Sequence, residues 1–198
     1  KGTTLMNCFV MDPEPEHGHG VDSMEGIYNQ MTKAAKTLKS EGGYGHNFSW
    51  LRPDGMYIDG IGSRTPGVLA FMGLWNETSK VITMGSESII GESKKEEKKK
   101  IRKGAQMGVL DISHPQIEDY IDAKLQEGVL DKFNLSIGIS ESFMETLAKD
   151  GEWSLRFPET THENYDTEWD GDIELWESKG YPVVITKTVK AKYLWNKI

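Results

Sequence analysis

A single cysteine, Cys8, stands in 198 residues. One cysteine excludes an internal disulfide and any disulfide-stapled fold, and it suits a reducing, cytoplasmic setting. Basic residues are also in short supply. Against 31 Asp and Glu there are 23 Lys and Arg, a net charge of −8, which excludes a chain that coats nucleic acid. No apolar run approaches the ~20 residues needed to cross a bilayer, and Lys1-Gly2-Thr3-Thr4 opens no signal-peptide core, so no membrane partner is expected. Internal repeats and composition-marked linkers are lacking too. What is present is core material: 37% hydrophobic residues, with six Trp, seven Tyr and six Phe, enough for one globular domain. Apolar side chains continue to Ile198, which predicts that the chain stops inside an element and is an incomplete domain over residues 1–198.

Local patterns predict the elements. Thr3-Thr4-Leu5-Met6-Asn7-Cys8-Phe9-Val10-Met11 reads as a buried strand, and the Pro- and Gly-containing stretch to Gly20 as a loop. Asp22 is placed to cap a helix, with Glu25 completing a capping-box-like pair and Gly42-Gly43 closing its far end. Met24, Ile27, Tyr28, Met31, Ala34, Ala35 and Leu38 give that helix one apolar face. Gly43 to Asn47 reads as a loop, and a second helix is expected from about Thr65 to Ile82. Strands are expected at Ala105–Leu110, Phe133–Ile139 and Val183–Ile185. Helices are expected at Pro115–Leu125, at Glu141–Lys149, near Trp169 and from about Val189. Alternating strands and helices imply an α/β domain with a largely parallel sheet.

Several residues could carry chemistry, and each also has a plain structural reading. Cys8 is either an inert core thiol or one member of a redox site whose other members lie elsewhere. Gly42-Gly43-Tyr44-Gly45 could let a ligand approach the backbone, or simply end a helix; no Gly-Lys-Ser/Thr follows, so a P-loop is excluded. Asp22 could bond a ribose or a base, or only cap its helix. Glu14 to Gly20 contains His17 and His19 but no element to orient them, so a solvated loop is favoured over a metal site. The run Lys94–Lys100 reads as a solvated segment diluted by Glu96 and Glu97, whereas Arg102-Lys103-Gly104 directly before a strand could clamp a small phosphorylated ligand. His114 before Pro115 reads as a loop or N-cap residue with no catalytic role.

The order of these pieces is more specific than any one of them. Asn7-Cys8 is followed by Asp22-Ser23, then by Gly42-Gly43-Tyr44-Gly45-His46-Asn47-Phe48-Ser49-Trp50-Leu51-Arg52-Pro53. Next come Arg102-Lys103-Gly104-Ala105-Gln106-Met107, His114-Pro115-Gln116-Ile117 and Phe133-Asn134-Leu135-Ser136-Ile137. Over nearly the whole chain this resembles the catalytic subunit of ribonucleotide reductases. The later stretch, with Tyr165, Trp169-Asp170-Gly171-Asp172, Trp176 and Val189-Lys190-Ala191, most resembles the adenosylcobalamin-dependent class II enzymes.

The resemblance implies a ten-stranded α/β barrel, of which this chain would form the first half-barrel. It implies reduction of ribonucleotides to 2′-deoxyribonucleotides by thiyl-radical chemistry under allosteric control. Cys8 then resembles the first of two redox-active cysteines. Asn7, Gly42, Gly43 and Arg102 resemble substrate-contacting positions, and Arg102 also belongs to the loop that passes effector identity to the substrate. Asp22, Arg52 and Lys103 resemble positions serving a nucleoside triphosphate effector (a dNTP or ATP). The implied partners are the remainder of the barrel, a ribonucleotide, a thioredoxin-like reductant and a second copy of the chain. Adenosylcobalamin would be bound mainly by parts around this segment. The Asn-x-Cys-x-Glu segment with the thiyl cysteine and the second redox cysteine are absent, so the chain alone is expected to be inactive. A class I large subunit and a non-catalytic nucleotide-binding module are the alternatives.

Overall fold

A computed structural model describes residues 6–15, 18–58, 62–87 and 104–198. Strands β1 (Cys8–Val10), β2 (Gly43–Asn47), β5 (Gln106–Asp111) and β6 (Phe133–Gly138) form a parallel sheet in the order β1-β2-β5-β6. Parallel neighbours need crossovers. These are α1 (Met24–Lys39), α2 (Gly67–Glu87) and α3 (Ile117–Asp122), the last continued by a 3-10 turn over Ala123–Leu125. A small antiparallel hairpin, β3 (Tyr57–Ile58) with β4 (Ser63–Arg64), sits between β2 and α2. The expected α/β fold with a parallel sheet is therefore present.

Beyond β6 the chain changes style. After α4 (Glu141–Ala148), strands β7 (Glu152–Pro158) and β8 (Val183–Lys190) pair antiparallel, with a register shift between Leu155 and Arg156. They enclose α5 (Tyr165–Glu168) and α6 (Ile173–Ser178), and α7 (Ala191–Lys197) follows. The sequence predicted only Val183–Ile185 of β8. The remainder of that strand is polar and exposed apart from the half-buried Val189, so it lacks the alternation that marks a half-buried strand.

One hydrophobic core runs through both parts. Tyr44, Phe48, Trp50, Met72, Trp75 and Leu110 fill it between the sheet and its helices, and Phe143, Leu155, Phe157, Trp169 and Trp176 fill it under the β7–β8 hairpin. The indole N–H of Trp169 donates to the backbone oxygen of Trp50 at 3.0 Å, which joins the two halves.

Three local expectations are corrected. Gly43–Asn47 is a strand bonded on both sides, not a loop; Gly43 and Gly45 hide it from propensity because glycine is a poor strand former. The cap of α1 is Ser23, whose hydroxyl accepts the Gly26 N–H at 3.0 Å, not Asp22. The far end of α1 is closed by Glu41, held at φ 64, while the N–H groups of Glu41 and Gly42 bond the oxygens of Leu38 and Thr37 at 3.0 and 3.1 Å. Gly42 is thus freed from the capping role the sequence suggested.

Candidate functional site: two ends of one sheet

At the amino end of the sheet, β1 and β2 bring four of the predicted residues together. Cys8 pairs in register with Gly43, and the Gly43 N–H donates to the Asn7 oxygen at 2.6 Å. A Cβ on Gly43 would lie 3.1 Å from the Asn7 oxygen and 3.2 Å from Cys8 Sγ. Glycine at 43 therefore gives the thiol its room. Gly42 is packed just as closely on the other side, where a Cβ would meet the Phe9 ring at 3.0 Å and the Thr37 methyl at 3.1 Å. Gly104, entering β5, comes to the same end: a Cβ there would lie 2.9 Å from the Gly42 oxygen.

Cys8 was expected on a buried strand, and it is exposed, as is Val10. The reason is topological. β1 is an edge strand paired only with β2, so one face and one edge remain uncovered among the described residues. Arg102, Lys103 and the run Lys94–Lys100 lie outside the described residues, as does His17.

The carboxyl end of the sheet lies about 16 Å away, the length of the five-residue β2. Here Asp22, just before α1, meets Arg52, just after β2. Arg52 Nε donates to Asp22 Oδ2 at 2.6 Å and Nη2 to Oδ1 at 3.1 Å. The Tyr165 hydroxyl donates to the same Oδ2 at 2.8 Å. The Asp22 side chain is 3% exposed and that of Arg52 18%. Burial pushes the Asp22 carboxyl above its ordinary range, and the Arg52 guanidinium and the Tyr165 hydroxyl pull it back down.

Two buried histidines brace the chain that carries Arg52. The Trp50 indole N–H donates to His46 Nε2 at 2.9 Å, so the His46 proton sits on Nδ1 and is given to the Met11 oxygen at 2.7 Å. By the same logic His114 accepts the Gln116 N–H on Nδ1 and donates from Nε2 to the Leu51 oxygen at 2.9 Å. Burial lowers both imidazoles to about 4. His114, read from its place before Pro115 as a loop or N-cap residue, is a structural brace, and His46 is a second one that spacing did not single out. Nor did spacing link Tyr165 to Asp22: the two are 143 residues apart.

The sequence profile of the ribonucleotide reductase barrel domain matches residues 6–198. The chain belongs to this family. Among its relatives, a vitamin B12-dependent ribonucleoside-diphosphate reductase of Mycobacterium tuberculosis (strain CDC 1551 / Oshkosh) is 32% identical over 157 residues, covering 79% of this chain and 20% of the relative. A protein of the same name from Thermoplasma acidophilum is 29% identical over 195 residues, or 98% of this chain and 20% of the relative. The ribonucleoside-diphosphate reductase large chain of Neurospora crassa is 27% identical over 202 residues, or 98% and 19%. The chain thus spans about a fifth of the length of the curated relatives it matches.

Within the ribonucleotide reductase barrel domain, the amino end offers a solvent-reached thiol beside bare backbone, a group whose chemistry is thiol–disulfide exchange. The carboxyl end offers a fixed guanidinium. Two of its five N–H donors are held by Asp22, which leaves three outside the ion pair. Among the described residues no group of three or more His, Cys, Asp or Glu is placed to hold a metal ion. No helix of the described residues is long and apolar enough to cross a membrane.

Proposed function

We propose that this chain is the first part of the catalytic barrel of an adenosylcobalamin-dependent ribonucleotide reductase, completed by polypeptide beyond it. The whole enzyme converts ribonucleotides to 2′-deoxyribonucleotides. The observation that carries the reading is the exposed Cys8 thiol beside Asn7 and the crowded glycines 42 and 43. Gly42 and Gly43 let the sugar lie against backbone, with Asn7 and Arg102 as further substrate contacts. Cys8 and a second cysteine elsewhere supply two electrons and two hydrogens: two S–H bonds and the 2′ C–O bond are lost, one S–S bond and one C2′–H bond form, and the 2′ hydroxyl leaves as water. A thioredoxin-like reductant then restores the dithiol by exchange.

Bound adenosylcobalamin supplies the radical. Both ring nitrogens of His46 and of His114 are engaged, so neither is free to ligate it, and in this reading the cofactor is held mainly by parts of the enzyme around this chain. Asp22, Arg52 and Lys103 serve the nucleoside triphosphate effector, with Arg52 presenting its outer donors to phosphate. The setting is cytoplasmic, and a homodimer is part of the reading.

The test is turnover by the protein that carries this chain, with a dithiol reductant. Deoxynucleotide should form only with adenosylcobalamin, and Cys8→Ser should abolish multiple turnover. Cobalamin-independent activity would favour the class I reading instead, which the match to the Neurospora large chain supports. Nucleotide binding without any reduction would leave only a non-catalytic module.

A further inference from the structure

The short turn over residues 165–171 grips the Asp22–Arg52 pair from both sides. On the Asp22 side, the Tyr165 hydroxyl holds Oδ2 at 2.8 Å. Gly20, two residues earlier, is pressed onto the same turn: a Cβ there would come 2.7 Å from Asp166 Oδ1. On the Arg52 side, the guanidinium lies over the Tyr165 ring, 5.5 Å from its centroid. Two residues before Arg52, the oxygen of Trp50 accepts the Trp169 indole N–H at 3.0 Å, and Gly171 allows that approach, since a Cβ there would lie 3.1 Å from the Trp50 nitrogen.

Tyr165 is buried and its ring is packed against Phe157, Trp169 and Trp176. Its hydroxyl therefore sits at a fixed point. A carboxylate held by Arg52 alone could turn about its side-chain torsions and carry the guanidinium with it. A third, fixed donor in a site of low dielectric removes that freedom.

We infer that Tyr165 is a positioning residue for nucleotide control: it locks the Asp22 carboxylate so that Arg52 meets the effector's phosphates in one orientation. This rests on the reading of Asp22 and Arg52 as effector contacts. The hairpin part of the molecule, remote in sequence, thereby takes a share in effector affinity.

The experiment is equilibrium binding of dATP, dTTP and dGTP to the full-length protein that carries this chain. Tyr165→Phe keeps the ring and removes only the donor. Its Kd should rise on the order of tenfold, as for the loss of one hydrogen bond to a charged group, while the reduction rate at saturating effector stays at the wild-type value. Tyr181→Phe removes a hydroxyl bonded to Glu168 in the same aromatic cluster, and should leave Kd unchanged. Asp22→Asn should weaken binding at least as much as Tyr165→Phe.

Wild-type affinity in Tyr165→Phe, with binding lost in Asp22→Asn, overturns the positioning role and leaves the effector reading standing. Unchanged affinity in both overturns both. Equal weakening by Tyr165→Phe and Tyr181→Phe marks a general loosening and also overturns the proposal. If Tyr165→Phe does not fold, 4-fluorophenylalanine at position 165 fills the space of the hydroxyl without donating to Asp22 and carries the same expectation; unchanged affinity there is equally decisive.

Discussion

At the amino end of the parallel sheet, Cys8, Gly42 and Gly43 present a thiol and bare backbone, and Cys8 is exposed. At the carboxyl end, Asp22, Arg52 and Tyr165 are folded into one another, with the Asp22 side chain 3% exposed. The first end packs glycines closely against backbone but leaves the Cys8 side chain exposed, so that side chain can change without unpairing a buried group. The second end is a buried polar network, in which loss of one member leaves a charge without its partner. One sheet thus separates an exposed thiol from a buried, paired charge.

Arg52→Met tests that separation most severely. It strands the Asp22 carboxylate and should lower stability by about 3–5 kcal/mol, read as a large drop in Tm.

Acid comes next. His46 and His114 stay neutral when folded down to about 4, whereas unfolded they take a proton near 6.5. Between those values the unfolded chain binds more protons, so stability falls as pH falls, by about 1.4 kcal/mol per pH unit for each histidine. Burial raises Asp22 and Asp111, whose folded forms take up protons earlier than the unfolded chain does, and so offsets part of this loss at the acid end of the window. His46 braces Trp50 and His114 braces Leu51, so amide exchange at Trp50 and Leu51 should quicken before that at Gly43–Gly45. Exchange that quickens at both together would erase the contrast between the two ends.

Gly43→Ala is smaller again. Its Cβ must displace Asn7 or the thiol, at about 1–2 kcal/mol, and the rate at which a disulfide reagent modifies Cys8 should change with it. Cys8→Ser is the smallest for the fold, within about 0.5 kcal/mol because the side chain is exposed, and yet it should end turnover. A substantial fall in Tm for Cys8→Ser would show that the amino end is also structural.

Elements with local signals were legible. β5, β6 and α4 begin and end within a residue of the spans read from the sequence, because alternation and the Ser140 cap are written in adjacent residues. β2 was not, since Gly43 and Gly45 weaken its strand signal, and Gly43 leaves room for Cys8. Asp22 showed itself as a polar residue at a helix start, but its partners stand 30 and 143 residues away, and no periodicity reports such a meeting. The amino-end site was legible only through the order of motifs along the chain. No spacing rule places Asn7 and Cys8 against Gly42 and Gly43; the parallel pairing of β1 with β2 does that.

The glycines at 42, 43 and 104 carry a consequence for the gene. Every missense change in a glycine codon adds at least a Cβ, and at each of these positions the nearest neighbours include atoms that cannot easily yield: the Phe9 ring at 42, the Asn7 oxygen at 43 and the Gly42 oxygen at 104. Three codons spread across more than sixty positions are therefore each constrained by packing at the same end of the sheet. A library of random variants should be depleted at all three together, while the codon for the exposed Val10 beside them varies freely under selection for folding alone.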